Sequence, residues 1–302
     1  MRIGIIGAGG VGGYLGVKLA QAGHPVALVA RGSQLEAIKT DGLRLIEPEG
    51  ETTWQPTVVS DDAAVLSDCD LVILTVKAHQ LPAAISQVRD AVAPHARLLP
   101  LQNGVDAPDV LAAQFGKERA LIGVARIFVN ISAPGVLTRY GTIARFTIGT
   151  LAGAAVEDVQ SVFQGAGVDA PALEDARVDL WTKFVMFNAL SSLTAATRSP
   201  FGVMRATPAT SELVHSLMQE TAALGRAAGV LLPDDLAETC FAMFETLPEE
   251  GRTSTAHDLD QGRALEIDWT CGAAIRLGEK LGVTTPISRT LYAVLAPWKD
   301  GS

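Results

Sequence analysis

The chain has 302 residues, enough for two domains, and 48% of it is hydrophobic, so a sizeable core is available. A formal net charge of −9 argues against a nucleic-acid partner, whose phosphates need a basic face, and against a polybasic membrane anchor. Cys69, Cys240 and Cys271 form no CxxC pair, and with no Cys/His metal spacing visible the sequence predicts neither a disulfide framework nor a metal site.

The start, "MRIGIIGAGG", is apolar but short and runs straight into glycines, so it reads as a strand and not as a signal peptide. No run approaches the ~18 uninterrupted apolar residues of a membrane span, and the expectation is a soluble, cytoplasmic protein. "RIGII" (2–6) predicts a buried strand, Tyr14 to Ala22 a helix ended by Gly23, and "PVALVA" (25–30) a second strand. Together these make a βαβ unit of mononucleotide-binding length. Further strands are expected at "DLVILTV" (70–76), "ARLLPLQ" (96–102) and "RALIGVARI" (119–127). Helical pieces lie between them at 80–92 and 105–116. Buried strands alternating with helices imply a parallel, doubly wound sheet.

"GVLTRYGTIARFTIGT" (135–150) predicts short, glycine-punctuated antiparallel strands at the edge of that sheet. From residue 176 onward no strand pattern is visible, and segments such as "TSELVHSLMQETAALGRAAGV" and "DDLAETCFAMFETL" read as helices. The expected architecture is α/β: an N-terminal Rossmann-type domain over residues 1–174 and an all-helical domain over 175–302, with a cleft between them. No repeat or low-complexity linker interrupts the chain.

Gly7, Gly9 and Gly12 make G-x-G-x-x-G between a strand and a helix, with Ala8, Gly10 and Val11 as the intervening residues. In that setting Gly7 permits a tight turn, Gly9 lets the backbone approach a pyrophosphate, and Gly12 lets helix and strand pack closely. The second strand ends in "VARGS" instead of the acid that accepts from a ribose in NAD sites. Arg31 can fork onto a 2′-phosphate, which favours NADP(H); a solvated surface arginine is the plainer reading. Lys77, after "DLVILTV", is a second cation at the same sheet edge, either a cofactor contact or solvated. Asn103 and Gly104 in "LQNGV" form a turn by composition, and at this edge an amide can bridge cofactor and substrate.

"KFVMFNALSSL" (183–193) opens with a lysine and continues as an apolar helix. Lys183 is either a snorkelling surface residue or an ammonium set in a cleft, where it can stabilise and protonate an oxygen that gains charge as hydride arrives. In "DLDQGRALEIDWTCG" (258–272) Gly262 and Arg263 interrupt one helix, and Glu266 and Asp268 read as acids in the first turn of the next. Ser132, Arg139 and Tyr140 read as structural, and His79 and His257 as surface or capping residues.

Taken in order, "GAGGVGG", "LTVKAHQ", "LQNGV", "LWTKF", "TST" and "GRALEID" resemble the ketopantoate reductase (2-dehydropantoate 2-reductase) family over nearly the whole chain. The resemblance implies NADPH-dependent reduction of a 2-oxo acid to a 2-hydroxy acid, as in pantothenate biosynthesis. It implies Lys183 as proton donor, Asn103 between nicotinamide and substrate, Lys77 as a cofactor contact, Glu266 near both the lysine and the cofactor, and Ser254 as a substrate-side hydroxyl. The family's asparagines four and eight residues after the lysine are here Phe187 and Ser191, and a third, after a proline, is Phe201. Asn188 lies roughly 100° round the helix from Phe187 and does not substitute directly. Catalysis and cofactor are thus expected to be preserved and the substrate pocket, lined by Lys183, Phe187, Ser191, Phe201 and Ser254, to be altered. A reductase of a more apolar ketone or oxo acid is the alternative, and a non-catalytic NADP(H)-binding regulator a further one. A homodimer is expected from the habit of such helical domains to pair.

Overall fold

Four consecutive buried residues, Ile3–Ile6, form β1 in the computed structural model, which describes residues 1–301. The chain continues through α1 (Gly10–Gln21), β2 (Val26–Val29), α2 (Gly32–Asp41), β3 (Leu43–Glu47), β4 (Gly50–Trp54), β5 (Val58–Ser60) and β6 (Leu71–Leu74). Next come α3 (Leu81–Ala91), β7 (Arg97–Pro100), α4 (Ala107–Phe115), β8 (Leu121–Ala133), β9 (Val136–Thr150) and α5 (Glu157–Gly165). The remainder is helical: α6 (Ala176–Thr197), α7 (Phe201–Ala206), α8 (Pro208–Ala227), α9 (Leu236–Glu245), α10 (Ser254–Asp260), α11 (Cys271–Leu281) and α12 (Pro286–Leu295). Two compact units result, one of Met1–Gln102 with Ala107–Ala176, the other of Asn103–Asp106 with Arg177–Ser302.

The first unit holds a five-stranded parallel sheet in the order β5-β2-β1-β6-β7. β1, β2 and β6 are buried at every position, as apolar runs covered on both faces must be. This is the Rossmann-like arrangement, with three neighbouring strands, β2, β1 and β6, ending side by side.

The region after β7 departs from the sequence reading. β8 and β9 are not short edge strands of the parallel sheet; they form a 13- and a 15-residue hairpin in a second, mixed sheet ordered β4-β3-β9-β8. Segment 119–127, expected in the parallel sheet, reaches it only through a single parallel bridge between Leu98 and Ala120. The reason lies in two glycines. Gly135, at φ +75, makes the tight turn that antiparallel strands need. Gly141, at φ +67, stands in an irregularity where the pairing jumps from Ile127–Ala144 to Phe128–Tyr140, so it bulges the strand without ending it.

A short ion-pair network fixes this second sheet on α1. Arg139, whose side chain is 5% exposed, donates to Glu47 Oε1 at 2.9 Å, to Glu49 and to the Gly141 carbonyl, while Lys18 reaches Glu47 Oε2 at 2.5 Å. Burial, and then the Glu47 charge, push the Tyr14 phenol up to about 12. Tyr14 also stacks on Phe146 of β9, which meets Phe163 of α5, so one aromatic line joins three elements of the core. Arg139 is structural, as its sequence context suggests.

In the second unit α8 packs against α7, α9, α11 and α12 through Val214, Leu217, Met218, Ala222 and Leu224, all fully buried. Among the described residues no helix is long and apolar enough to cross a membrane. All three cysteines are buried, and none forms a disulfide.

Beside the Leu98–Ala120 bridge, the parallel sheet and the hairpin approach tightly at Gly123. A Cβ on Gly123 of β8 would lie 2.1 Å from the Pro100 carbonyl oxygen. Gly123→Ala is therefore expected to lower stability by about 1–3 kcal/mol, read from the urea unfolding midpoint; an unchanged midpoint would show that the strands separate freely there.

Candidate functional site

The glycine loop leaves β1 with Gly7 at φ +108, where a Cβ would also lie 2.9 Å from the Val76 nitrogen. Gly10 and Gly12 admit no side chain either: built Cβ atoms would fall 2.3 Å from the Val129 carbonyl oxygen and 2.0 Å from the Gly7 carbonyl oxygen. Gly9 is different. It caps α1 at φ −77 and ψ −167, a conformation open to any residue, and a Cβ there would meet nothing within 4 Å. Nothing inside the chain explains that glycine. The space beside it, at a helix start with no side-chain cap, fits the close approach of a dinucleotide pyrophosphate. The helix starts at Gly10, four residues before the sequence reading placed it.

Two further expected residues leave the same edge of the sheet. Arg31 is exposed and caps α2 directly after β2; Lys77 is exposed and caps the short 3₁₀ turn Ala78–Gln80 after β6. Two glutamines that sequence reasoning did not single out hold this edge together. Gln34 Nε2 donates to the Ala8 carbonyl at 2.9 Å, and its Oε1 accepts from the Gly135 nitrogen at 2.9 Å. Gln102 Nε2 donates to the Leu74 and Val76 carbonyls at 2.9 and 3.1 Å, joining the end of β7 to the end of β6. The signal for Gln102 was its place inside "LQNGV"; Gln34, in the first turn of a helix, had none.

In the second unit the structure brings together Asn103, Lys183 and Glu266. Lys183 Nζ donates to Asn103 Oδ1 at 3.0 Å, and Asn103 Nδ2 donates to Glu266 Oε2 at 3.4 Å. The amide thus presents its acceptor to an ammonium and its donor to a carboxylate, and a flipped amide would lose both bonds. Lys183 does not head its helix: α6 starts at Ala176, and the lysine stands two turns inside it. Nor does Glu266 open an α-helix. It precedes a 3₁₀ turn, Ile267–Trp269, and is 4% exposed, so its place follows from partners and not from a helix dipole.

Each member is held from behind. Gly104, at φ +96, lets the Asn103 turn lie against Trp269, whose carbonyl oxygen would be 2.7 Å from a Cβ there. Asp106 binds Arg276 Nη2 at 2.7 Å, and Arg276 Nη1 donates to the Asp268 carbonyl at 2.8 Å. The Asp268 carboxylate accepts from Tyr292 and Lys299, both at 2.7 Å. Burial pushes that carboxyl up, but these hydrogen bonds outweigh it and hold it below the usual carboxylate range. On the other side of the turn Arg263 Nε donates to Asp258 Oδ1 at 2.7 Å. Asp268 is thus an anchor of the Glu266 turn.

The remaining expected residues separate. Phe187, one turn after Lys183 and partly exposed, has its ring centroid 5.8 Å from Lys183 Nζ. Ser191, expected on the substrate side, is fully buried and bonded to Thr255 Oγ1 at 2.6 Å, because α10 covers that part of α6. Phe201, also expected there, packs edge-on against Phe244 at 6.1 Å and closes on Gly251, in the core of the helical unit. Ser254 is exposed at the first position of α10. His79 and His257 are exposed, and Ser132 bonds Thr138 within its own hairpin. Among the described residues no group of three or more His, Cys, Asp or Glu could hold a metal ion.

Comparison with known proteins gives this geometry a family. Residues 3–153 match the family described as ketopantoate reductase PanE/ApbA, and residues 175–299 its C-terminal counterpart. The chain belongs to the ketopantoate reductase family. A 2-dehydropantoate 2-reductase of Mesorhizobium japonicum is 33% identical, covering 98% of this chain and 96% of its own. The crystal structure of a PanE/ApbA family ketopantoate reductase from Ralstonia eutropha JMP134 superposes with a TM-score of 0.90 at 32% identity, over 99% of this chain and 98% of its own. That of 2-dehydropantoate 2-reductase from Methylococcus capsulatus gives 0.88 at 30% identity, over 98% and 96%. Within this family the chain is an oxidoreductase acting on CH–OH groups, with a small 2-oxo acid as its class of substrate.

The contrast among the glycines is testable. Gly9→Ala should leave stability within ~0.5 kcal/mol of the parent while weakening binding of the reduced nicotinamide cofactor about tenfold or more, read by fluorescence titration. Retained affinity would mean that the space beside Gly9 receives no pyrophosphate.

Proposed function

We propose that this chain reduces a 2-oxo acid, 2-dehydropantoate or a close analogue, to the 2-hydroxy acid with NADPH, and that Lys183 is the proton donor. The observation that carries the reading is the Lys183–Asn103–Glu266 chain, an ammonium held on a neutral amide oxygen with a buried carboxylate behind it. When bound, the cofactor supplies hydride to the carbonyl carbon.

The chain's own residues do the rest. Gly7, Ala8, Gly9, Gly10, Val11 and Gly12 give the pyrophosphate a backbone surface at the start of α1. Arg31, in place of an acid after β2, favours a 2′-phosphate and hence NADP(H); Lys77 adds a second positive charge at the same sheet edge. Lys183 donates a hydrogen bond to the carbonyl oxygen, stabilises the charge that develops there and then delivers the proton. Asn103 fixes the ammonium in place, and Glu266 fixes the orientation of Asn103. The roles divide as cofactor binding in the first unit and substrate binding and proton transfer in the second. Ser254, exposed at the start of α10, offers a hydroxyl to the substrate.

Lys183→Ala is expected to lower kcat by about 10²-fold or more while changing NADPH affinity less than about twofold. Turnover followed at the NADPH absorbance band, beside a binding titration, separates the two. Equal loss of both would assign the lysine a structural role and overturn the reading.

A further inference from the structure

Positions 183, 187 and 191 lie on one face of α6, four residues apart. What that face offers beyond the ammonium decides what a substrate's side chain can be. The polar side chains between positions 188 and 194 of α6 are fully buried and, Asn188 Oδ1 apart, hydrogen-bonded. Asn188 is fully buried and its Nδ2 donates to Thr221 Oγ1 at 3.0 Å. Ser191 is paired with Thr255 at 2.6 Å, Ser192 with Cys271 Sγ at 2.9 Å, and Thr194 with Thr253 at 2.7 Å, and all three are fully buried. The side chain that stays partly exposed on this face is Phe187, with its ring centroid 5.8 Å from Lys183 Nζ.

A carbonyl oxygen hydrogen-bonded to that ammonium places the next carbons of the substrate within reach of the Phe187 ring. A hydroxyl carried there would leave water and meet ring carbon; the α6 acceptor left without a hydrogen bond, Asn188 Oδ1, is fully buried and roughly 100° round the helix from Phe187. Burying a hydroxyl without a partner costs about 1–3 kcal/mol. An apolar branch or an aromatic ring in the same place gains contact instead.

We infer that the substrate is a 2-oxo acid whose side chain is apolar, branched or aromatic and carries no hydroxyl, and that Phe187 selects it. This rests on the reductase reading above and narrows it. A pocket with apolar walls discriminates against an added hydroxyl by up to about 10²-fold, far less than a polar pocket discriminates against its absence. The direction of preference is therefore the informative quantity.

The test uses trimethylpyruvate and 2-dehydropantoate, which differ by one hydroxyl, with phenylglyoxylate as the aromatic member. Each is assayed with NADPH and with NADH. The expected result is a kcat/KM for trimethylpyruvate about tenfold or more above that for 2-dehydropantoate. Phe187→Asn should move the ratio about tenfold toward 2-dehydropantoate, and Phe187→Leu should keep the parent's order. A parent enzyme that prefers 2-dehydropantoate, or a ratio unmoved in a folded Phe187→Asn protein, overturns the inference while leaving the reductase reading intact. Should Phe187→Asn fail to fold, the parent's ratio decides alone. Absence of cofactor oxidation with all three acids overturns the reductase reading itself.

Discussion

An amide side chain has two unlike ends, and Asn103 is placed where only one orientation works. Its oxygen faces an ammonium and its nitrogen faces a carboxylate, so the two charges set the amide and the amide sets the distance between them. The amide oxygen thus gives the ammonium an acceptor, and the amide nitrogen gives the buried carboxylate a donor. The rest of the helical unit serves this arrangement. Arg276 fastens Asp106, Tyr292 and Lys299 fasten Asp268, and the Asn103 turn closes on Trp269 because Gly104 has no side chain.

The same economy governs the glycine loop, where four glycines answer to three different constraints. Gly7 is required by its backbone angle, and Gly10 and Gly12 by carbonyl oxygens lying too close for any Cβ. Only Gly9 is unexplained from inside. A glycine that internal packing does not require points outward, to whatever must come near the backbone. That distinction separates a merely glycine-rich turn from one shaped to receive a ligand.

Some of this was legible in the sequence and some was not. β1, β2 and β6 are short, wholly apolar runs bounded by glycine or charge, so the parallel sheet could be read directly. The second sheet could not. β3 alternates buried Leu43 and Leu45 with Arg44, which stands opposite Thr53 and donates diagonally to the Glu51 carboxylate, and so short a polar-apolar alternation looks like loop. Gly141 looked like a strand end and is a bulge. Lys183 looked like a helix start because the apolar run follows it, although α6 already includes the polar stretch Arg177–Asp179. The meeting of positions 103, 183 and 266 has no local signature; family resemblance suggested it, and folding alone creates it. The same resemblance put Ser191 and Phe201 beside the substrate, and folding pairs them with Thr255 and Phe244, contacts that no local pattern announces.

Gln34 has a quieter consequence. One side chain grips both the Ala8 carbonyl and the turn nitrogen of Gly135, residues more than a hundred positions apart in the chain. The loop between β1 and α1 is thereby clamped to the hairpin that overlies it before any guest arrives. Its conformational freedom is surrendered during folding, so the proposed pyrophosphate would meet a finished surface and little of its binding energy would go into ordering the host.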